Sequence, residues 1–162
     1  MATQLSKYFT LEECTHSDTA VRKGIPNVPS PEGIAMGGRL CTSVMDTVRE
    51  KWGALSVTSG FRSHELNLDP DVNGSATSDH VWSDGAASID FIPLKAEMQE
   101  VFEWICGSGL VFDQCFLEYK LKDGIRHYRC IHISLRDINP RRQAGIKPTG
   151  GYGKIEWCEV TP

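Results

Sequence analysis

No stretch of this chain reaches the roughly 18 apolar residues that a membrane-spanning helix requires. The first residues, Met-Ala-Thr-Gln-Leu-Ser-Lys, lack the basic and then apolar pattern of a secretory leader. A protein made in a cytoplasm, with no membrane span, is the expectation. Positive charge is not in surplus: 17 Lys and Arg against 21 Asp and Glu leave a net charge of -4. That balance argues against a broad nucleic-acid or anionic-membrane surface. Arg136, Arg141, Arg142 and Lys147 make one local basic group, read here as a solvated loop. Cys-x-x-Cys pairs are also missing. The six cysteines (14, 41, 106, 115, 130, 158) are scattered, and without an export signal they are expected as reduced, buried thiols.

What is present fits one domain: 162 residues with an apolar fraction of 40%, enough to close a core without staples. Thr10-Leu11-Glu12-Glu13 reads as a capping box opening a short helix, with Tyr8 and Phe9 packing just before it. Val21 to Pro31 holds three prolines and a glycine and is expected as an irregular loop. Ser30 then caps a long helix with Pro31 at its first position. Ile34, Leu40, Val44, Met45, Val48 and Trp52 recur along it at helical spacing, and Gly53 ends it. Leu55 to Thr58 and Ile89 to Ile92 read as strands, the second stopped by Pro93, and Asn67 to Asp84 has the composition of a loop. A second helix is expected over Glu97 to Cys106. Val111 to Glu118 and His127 to Leu135 pair as antiparallel strands around a Lys-Leu-Lys-Asp-Gly turn. The expected class is α+β, a small antiparallel sheet flanked by helices. Residues 1–138 form the domain and 139–162 a Gly/Pro/Arg-rich tail, with a terminal strand at Lys154 to Glu159.

The residues that carry chemistry are His80, Asp90 and His132, with Glu118. Two imidazoles and one carboxylate are the usual protein ligands of a catalytic zinc, which leaves a fourth position for water. A free carboxylate, Glu118, is then available for the proton of that water. Singly, each has a plainer reading. His80 in a polar loop is an exposed turn residue, His132 a hydrogen-bonded core histidine, and Glu118 the end of a strand. Asp90 beside Phe91 in an apolar strand resists dismissal, because an unpaired buried carboxylate is costly.

In chain order, Ser59-Gly60-Phe61-Arg62-Ser63, Ser78-x-His80, Asp90, Glu118 and His132 resemble the zinc peptidases of the M15 family. The likeness is to its D-Ala-D-Ala carboxypeptidase and phage endolysin members. Leu-Ser-Lys-Tyr-Phe-Thr-Leu-Glu-Glu at 5–13, Ala-Val-Arg-Lys-Gly-Ile-Pro-Asn at 20–27 and Phe-Asp-Gln at 112–114 look like its short phage-encoded branch. The resemblance covers about residues 5–136 and implies the M15 (hedgehog/DD-peptidase-like) fold. It further implies Zn2+ held by His80, Asp90 and His132, with Glu118 as general base. Arg62 is implied to hold the substrate carboxylate or the developing oxyanion, with Ser78 beside it in substrate binding.

The chain departs from the family pattern in two places. Asp90 stands ten positions after His80 where seven are usual, an insertion around Trp82-Ser83-Asp84. The aromatic expected two residues before the last His is Cys130. Two functions follow. The first is a phage-type peptidase that cuts an amide bond in the peptidoglycan stem peptide, made in the host cytoplasm and acting at the cell wall after release or as part of a virion. The second is a virion structural or adaptor protein that keeps the fold to bind other virion proteins.

Overall fold

The computed structural model describes residues 2–150 and 154–161. The chain begins with two short helices, α1 (Leu11–Thr15) and α2 (Asp18–Lys23). Thr10 caps α1 by accepting the Glu13 amide, and Ser17 caps α2 by accepting the Ala20 amide. Helix α2 lies partly where a proline-rich loop was expected. Its start signal, Ser17-Asp18, precedes the prolines, and Gly24 closes it at φ 66°.

The long helix starts at Ser30 and Pro31 as expected, and Ser30 Oγ accepts the Gly33 amide at 3.1 Å. It runs as α3 (Pro31–Leu40), a single π-helical turn (Cys41–Met45) and α4 (Asp46–Trp52). Gly53 ends it at φ 82°. Strand β1 (Leu55–Ser59), helix α5 (His64–Leu68), strand β2 (Ala86–Pro93) and helix α6 (Met98–Gly107) follow. Strands β3 (Gln114–Lys122) and β4 (Ile125–Arg136) form the expected hairpin around Asp123 and Gly124, both at positive φ.

The sheet does not stop at residue 138. Strands β5 (Gln143–Pro148) and β6 (Glu156–Cys158) extend it, so the segment read as a tail supplies two strands where one was expected. The order is β1-β2-β4-β3-β5-β6, antiparallel except for the parallel pair of β3 and β5. The result is the expected α+β domain with a mixed, mostly antiparallel sheet.

Strand alternation splits this sheet cleanly. Ile89 pairs with Ile133, Phe91 with Ile131, and Leu117 with Ile131 and Ile146. All but Ile146, which packs partly buried against them, join Met36, Leu40, Val44, Val101, Phe102 and Ile105 of the helices in one buried core. The residues between them, Ser88, Asp90, Phe116, Glu118, Cys130, His132 and Ser134, point to the other face, and none belongs to that core. Five of the six cysteines are buried and all six are free thiols, most of them among the apolar residues.

Among the described residues, no helix is long and apolar enough to cross a membrane. The basic group is not a solvated loop. Arg136 and Arg141 converge on the fully buried carboxylate of Asp113, with Arg136 Nε 3.1 Å from Oδ2 and the Arg141 amide donating to Oδ1 at 2.8 Å. Lys147 lies on β5 and pairs with Glu118.

Candidate metal centre

One register row crosses the whole sheet: Ser59, Asp90, His132, Phe116, Gly145 and Trp157 stand side by side, one from each strand. Asp90 and His132 are thus direct cross-strand partners. His132 Nδ1 lies 2.7 Å from Asp90 Oδ1.

The third member comes from a loop rather than a strand. His80 is buried, at 4% exposure, not the exposed turn residue that its polar neighbours suggest. Its Nδ1 meets the Gly60 carbonyl at 2.7 Å, and its main-chain carbonyl accepts the Arg62 amide at 2.8 Å. These two bonds lock the 78–80 loop to the turn after β1. A proton on Nδ1, donated to Gly60, leaves Nε2 as the free lone pair, and Nε2 lies 3.2 Å from Asp90 Oδ2. Gly60 has no room for a side chain, since a Cβ there would fall 2.1 Å from the Cys14 carbonyl oxygen. Ser78 accepts the His80 amide at its Oγ, so its visible work is to shape the loop that carries His80.

His80, Asp90 and His132 each offer a ligand atom within 4.8 Å of the others, a group that can hold a metal ion. The donor set suits zinc: two nitrogens and a carboxylate oxygen, with one imidazole fixed by a carbonyl behind it. Burial lowers the His80 pKa, against the pull of Asp90, and so favours the neutral imidazole that ligation needs. Burial alone would raise the Asp90 pKa. Its interactions with His80 first and His132 second outweigh it and hold the carboxyl well below the usual range.

The inserted residues do not separate the donors. Trp82 turns into the core at 3% exposure, donates its indole N–H to the Ser88 carbonyl at 3.0 Å and stacks edge-on to Phe61. Gly33 and Gly37, one turn apart on α3, make the notch that receives it. A Cβ on Gly37 would lie 2.3 Å from the indole ring. The extra length is therefore anchored instead of looped out.

Arg62 reaches the same carboxylate, with Nη2 3.5 Å from Asp90 Oδ2 and Nε donating to Ser59 Oγ at 2.9 Å. An open cleft lies beside it on the β1 side, lined by His16, Thr58, Ser59, Phe61, Arg62 and Val72. Glu118 shares the face and sits opposite Cys130, two residues before His132. Two strand rises of ~3.4 Å put its backbone about 7 Å along from that of His132. Its Oε1 is 3.0 Å from Lys147 Nζ. Burial, together with the charges of Asp90 and Glu118, pushes the Cys130 thiol up, so it stays protonated between them. His127 is exposed opposite Lys120 on the hairpin and is not among the grouped donors.

Sequence reasoning missed the groups that hold this centre in place. The Gly60 carbonyl carries no side-chain signal. Asp79 is gripped from behind by Arg136 at 3.3 Å, in the network that Asp113 and Arg141 complete, and it adjoins His80. The Ser-Asp-His triplet held that clue.

A model of the peptidase M15 family matches residues 7–120, a span that carries Arg62, His80, Asp90 and Glu118 and ends before His132. Neither a curated protein nor a solved structure matches the chain. The matched span covers well over half of the sequence, and the chain belongs to the peptidase M15 family.

Proposed function

We propose that this protein is a zinc-dependent peptidase that hydrolyses an amide bond in the stem peptide of peptidoglycan, as a phage-type enzyme acting at the cell wall after release or within a virion. The observation that carries this reading is the His80, Asp90 and His132 group, three donors within 4.8 Å on the open face of the sheet. The peptidase family supplies the reaction class. The stem peptide and the phage setting rest on the likeness of segments 5–13, 20–27 and 112–114 to the short phage branch.

A zinc ion on these donors supplies a Lewis acid and brings the pKa of a water to near 7. Glu118 accepts the proton of the attacking water at its carboxylate and passes it to the leaving amine. Lys147 holds one oxygen of that carboxylate in a fixed direction. Arg62, braced by Ser59, offers its guanidinium to the substrate carboxylate or to the charge that develops on the carbonyl oxygen. Core-buried Trp82 and Phe61 hold the loops beneath rigid.

Purified protein should contain about one zinc per chain by elemental analysis and release free amines from purified peptidoglycan. Glu118→Ala should keep the zinc and lose about 100- to 10,000-fold in rate, the range for removal of a general base. A protein without zinc, or a Glu118→Ala variant as active as wild type, would sink the proposal.

A further inference from the structure

Strands β5 and β6 lie beyond the span that the family model matches, yet they continue the row that holds Asp90 and His132. Next to His132 in that row stands Phe116, its ring stacked at 6.1 Å with an interplanar angle of 23°. Then comes Gly145, which has no side chain, and then Trp157. The Trp157 ring approaches Phe116 to 6.1 Å across the glycine, although two strand spacings part their backbones. Lys147 covers the other flank, with Nζ 4.7 Å from the Phe116 centroid. Trp157 keeps 58% of its surface exposed, while Phe116 keeps only 4%. An aromatic ledge therefore leads from the metal-ligand candidates outward and ends in an indole with a free face.

Gly145 makes the ledge possible in a second way. A Cβ there would lie 2.7 Å from Ile155 Cγ2 and 2.8 Å from the Glu156 carbonyl oxygen, so a larger residue would push β6 off the sheet. Three strand spacings of ~4.8 Å separate His132 from Trp157, about 14 Å. An extended peptide at ~3.4 Å per residue crosses that distance in about four residues.

We propose that Trp157, backed by the buried Phe116, forms a binding subsite for the substrate peptide, taking an amide plane or small side chain of an extended segment about four residues from the scissile bond. This inference rests on the peptidase reading for its substrate. A short extended peptide is the occupant that fits, because the ledge runs outward from the metal-ligand candidates and its length matches the reach of about four residues. Lys147, already fixed on Glu118, closes the rim.

The test uses the full chain and soluble stem peptides of two lengths, three residues and five or more, with sugar oligomers free of peptide as the competing probe. The Trp157 indole N–H resonance, assigned by its loss in Trp157→Phe, should shift with the longer peptide and not with the sugars. Trp157→Ala should raise KM for the longer peptide roughly two- to tenfold, the worth of one aromatic contact, with kcat within about twofold. The short peptide should feel no change, and Trp157→Phe should recover part of the loss. An indole shift with the sugars alone, or equal KM values for wild type and Trp157→Ala, overturns the subsite. An indole shift without any hydrolysis by wild type leaves the subsite standing and removes the peptidase reading instead.

Discussion

The two faces of the sheet are cut from the same strands and are built to opposite rules. Ile89 and Phe91 are buried among the helices, while Asp90, between them, points to the open face and meets two imidazoles. The apolar face gains from every atom that it removes from water. The other face holds a charge in a nearly dry place, stabilised only by the partners around it. Pleating makes the two inseparable, since a one-residue slip of β2 would send Asp90 into the core and Phe91 into the site. Precision on the open face is thus bought with packing on the other.

Substitution of neighbours can break or sharpen this contrast. Phe91→Ala should cost about 3–5 kcal/mol of stability by leaving a cavity, read as a large fall in melting temperature. Asp90→Asn should abolish zinc uptake by elemental analysis and yet change the melting temperature of the metal-free protein far less. If both variants unfold alike, the division of labour between the faces is wrong.

Trp82 tests whether the inserted loop belongs to the packing side. Gly37→Ala puts a methyl group into the indole ring and should cost about 1–3 kcal/mol through overpacking. Because Trp82 lies two residues from His80, the same variant should also weaken zinc affinity in a chelator competition. Unchanged affinity at lowered stability would show that Trp82 supports the core alone.

The smallest effect should come from Asp113. Burial would raise its pKa, but the hydrogen bonds and charge of Arg141, joined by Arg136, outweigh it and lower the pKa below the ordinary value. Such a group contributes stability above the ordinary carboxylate pKa of about 3.9, and that contribution is lost as the pH falls through the depressed folded value. Melting temperature should therefore drop on acidification below about pH 4. The drop should be shallower in Asp113→Asn, which starts lower at neutral pH; parallel slopes would exclude Asp113 as a source of the acid sensitivity.

The sequence revealed those parts of the molecule whose signals are local. Thr10, Ser30 and Pro31 mark helix starts by their own chemistry, and the apolar residues around Asp90 and His132 mark both as strand positions. Strand β5 was hidden because Gly145 and Pro148 give it the composition of a loop, and its parallel partner β3 lies more than twenty residues upstream. No short-range pattern encodes such a pairing. Helix α2 was masked by the prolines that follow it. His80 looked exposed because its burial comes from the Gly60 carbonyl and the distant turn after β1. The spacing from His80 to Asp90 looked like a defect because counting residues cannot tell a free loop from one held by a buried indole.

The anchoring of Trp82 also has a thermodynamic meaning. A nine-residue connector that was free would have to surrender its conformational entropy each time His80 and Asp90 came together. Seated in the Gly33–Gly37 notch, it has met that cost once, when the chain folds. An ion arriving at the three donors then binds a site that is already assembled, and its affinity reflects the donors themselves with little deduction for ordering the loop.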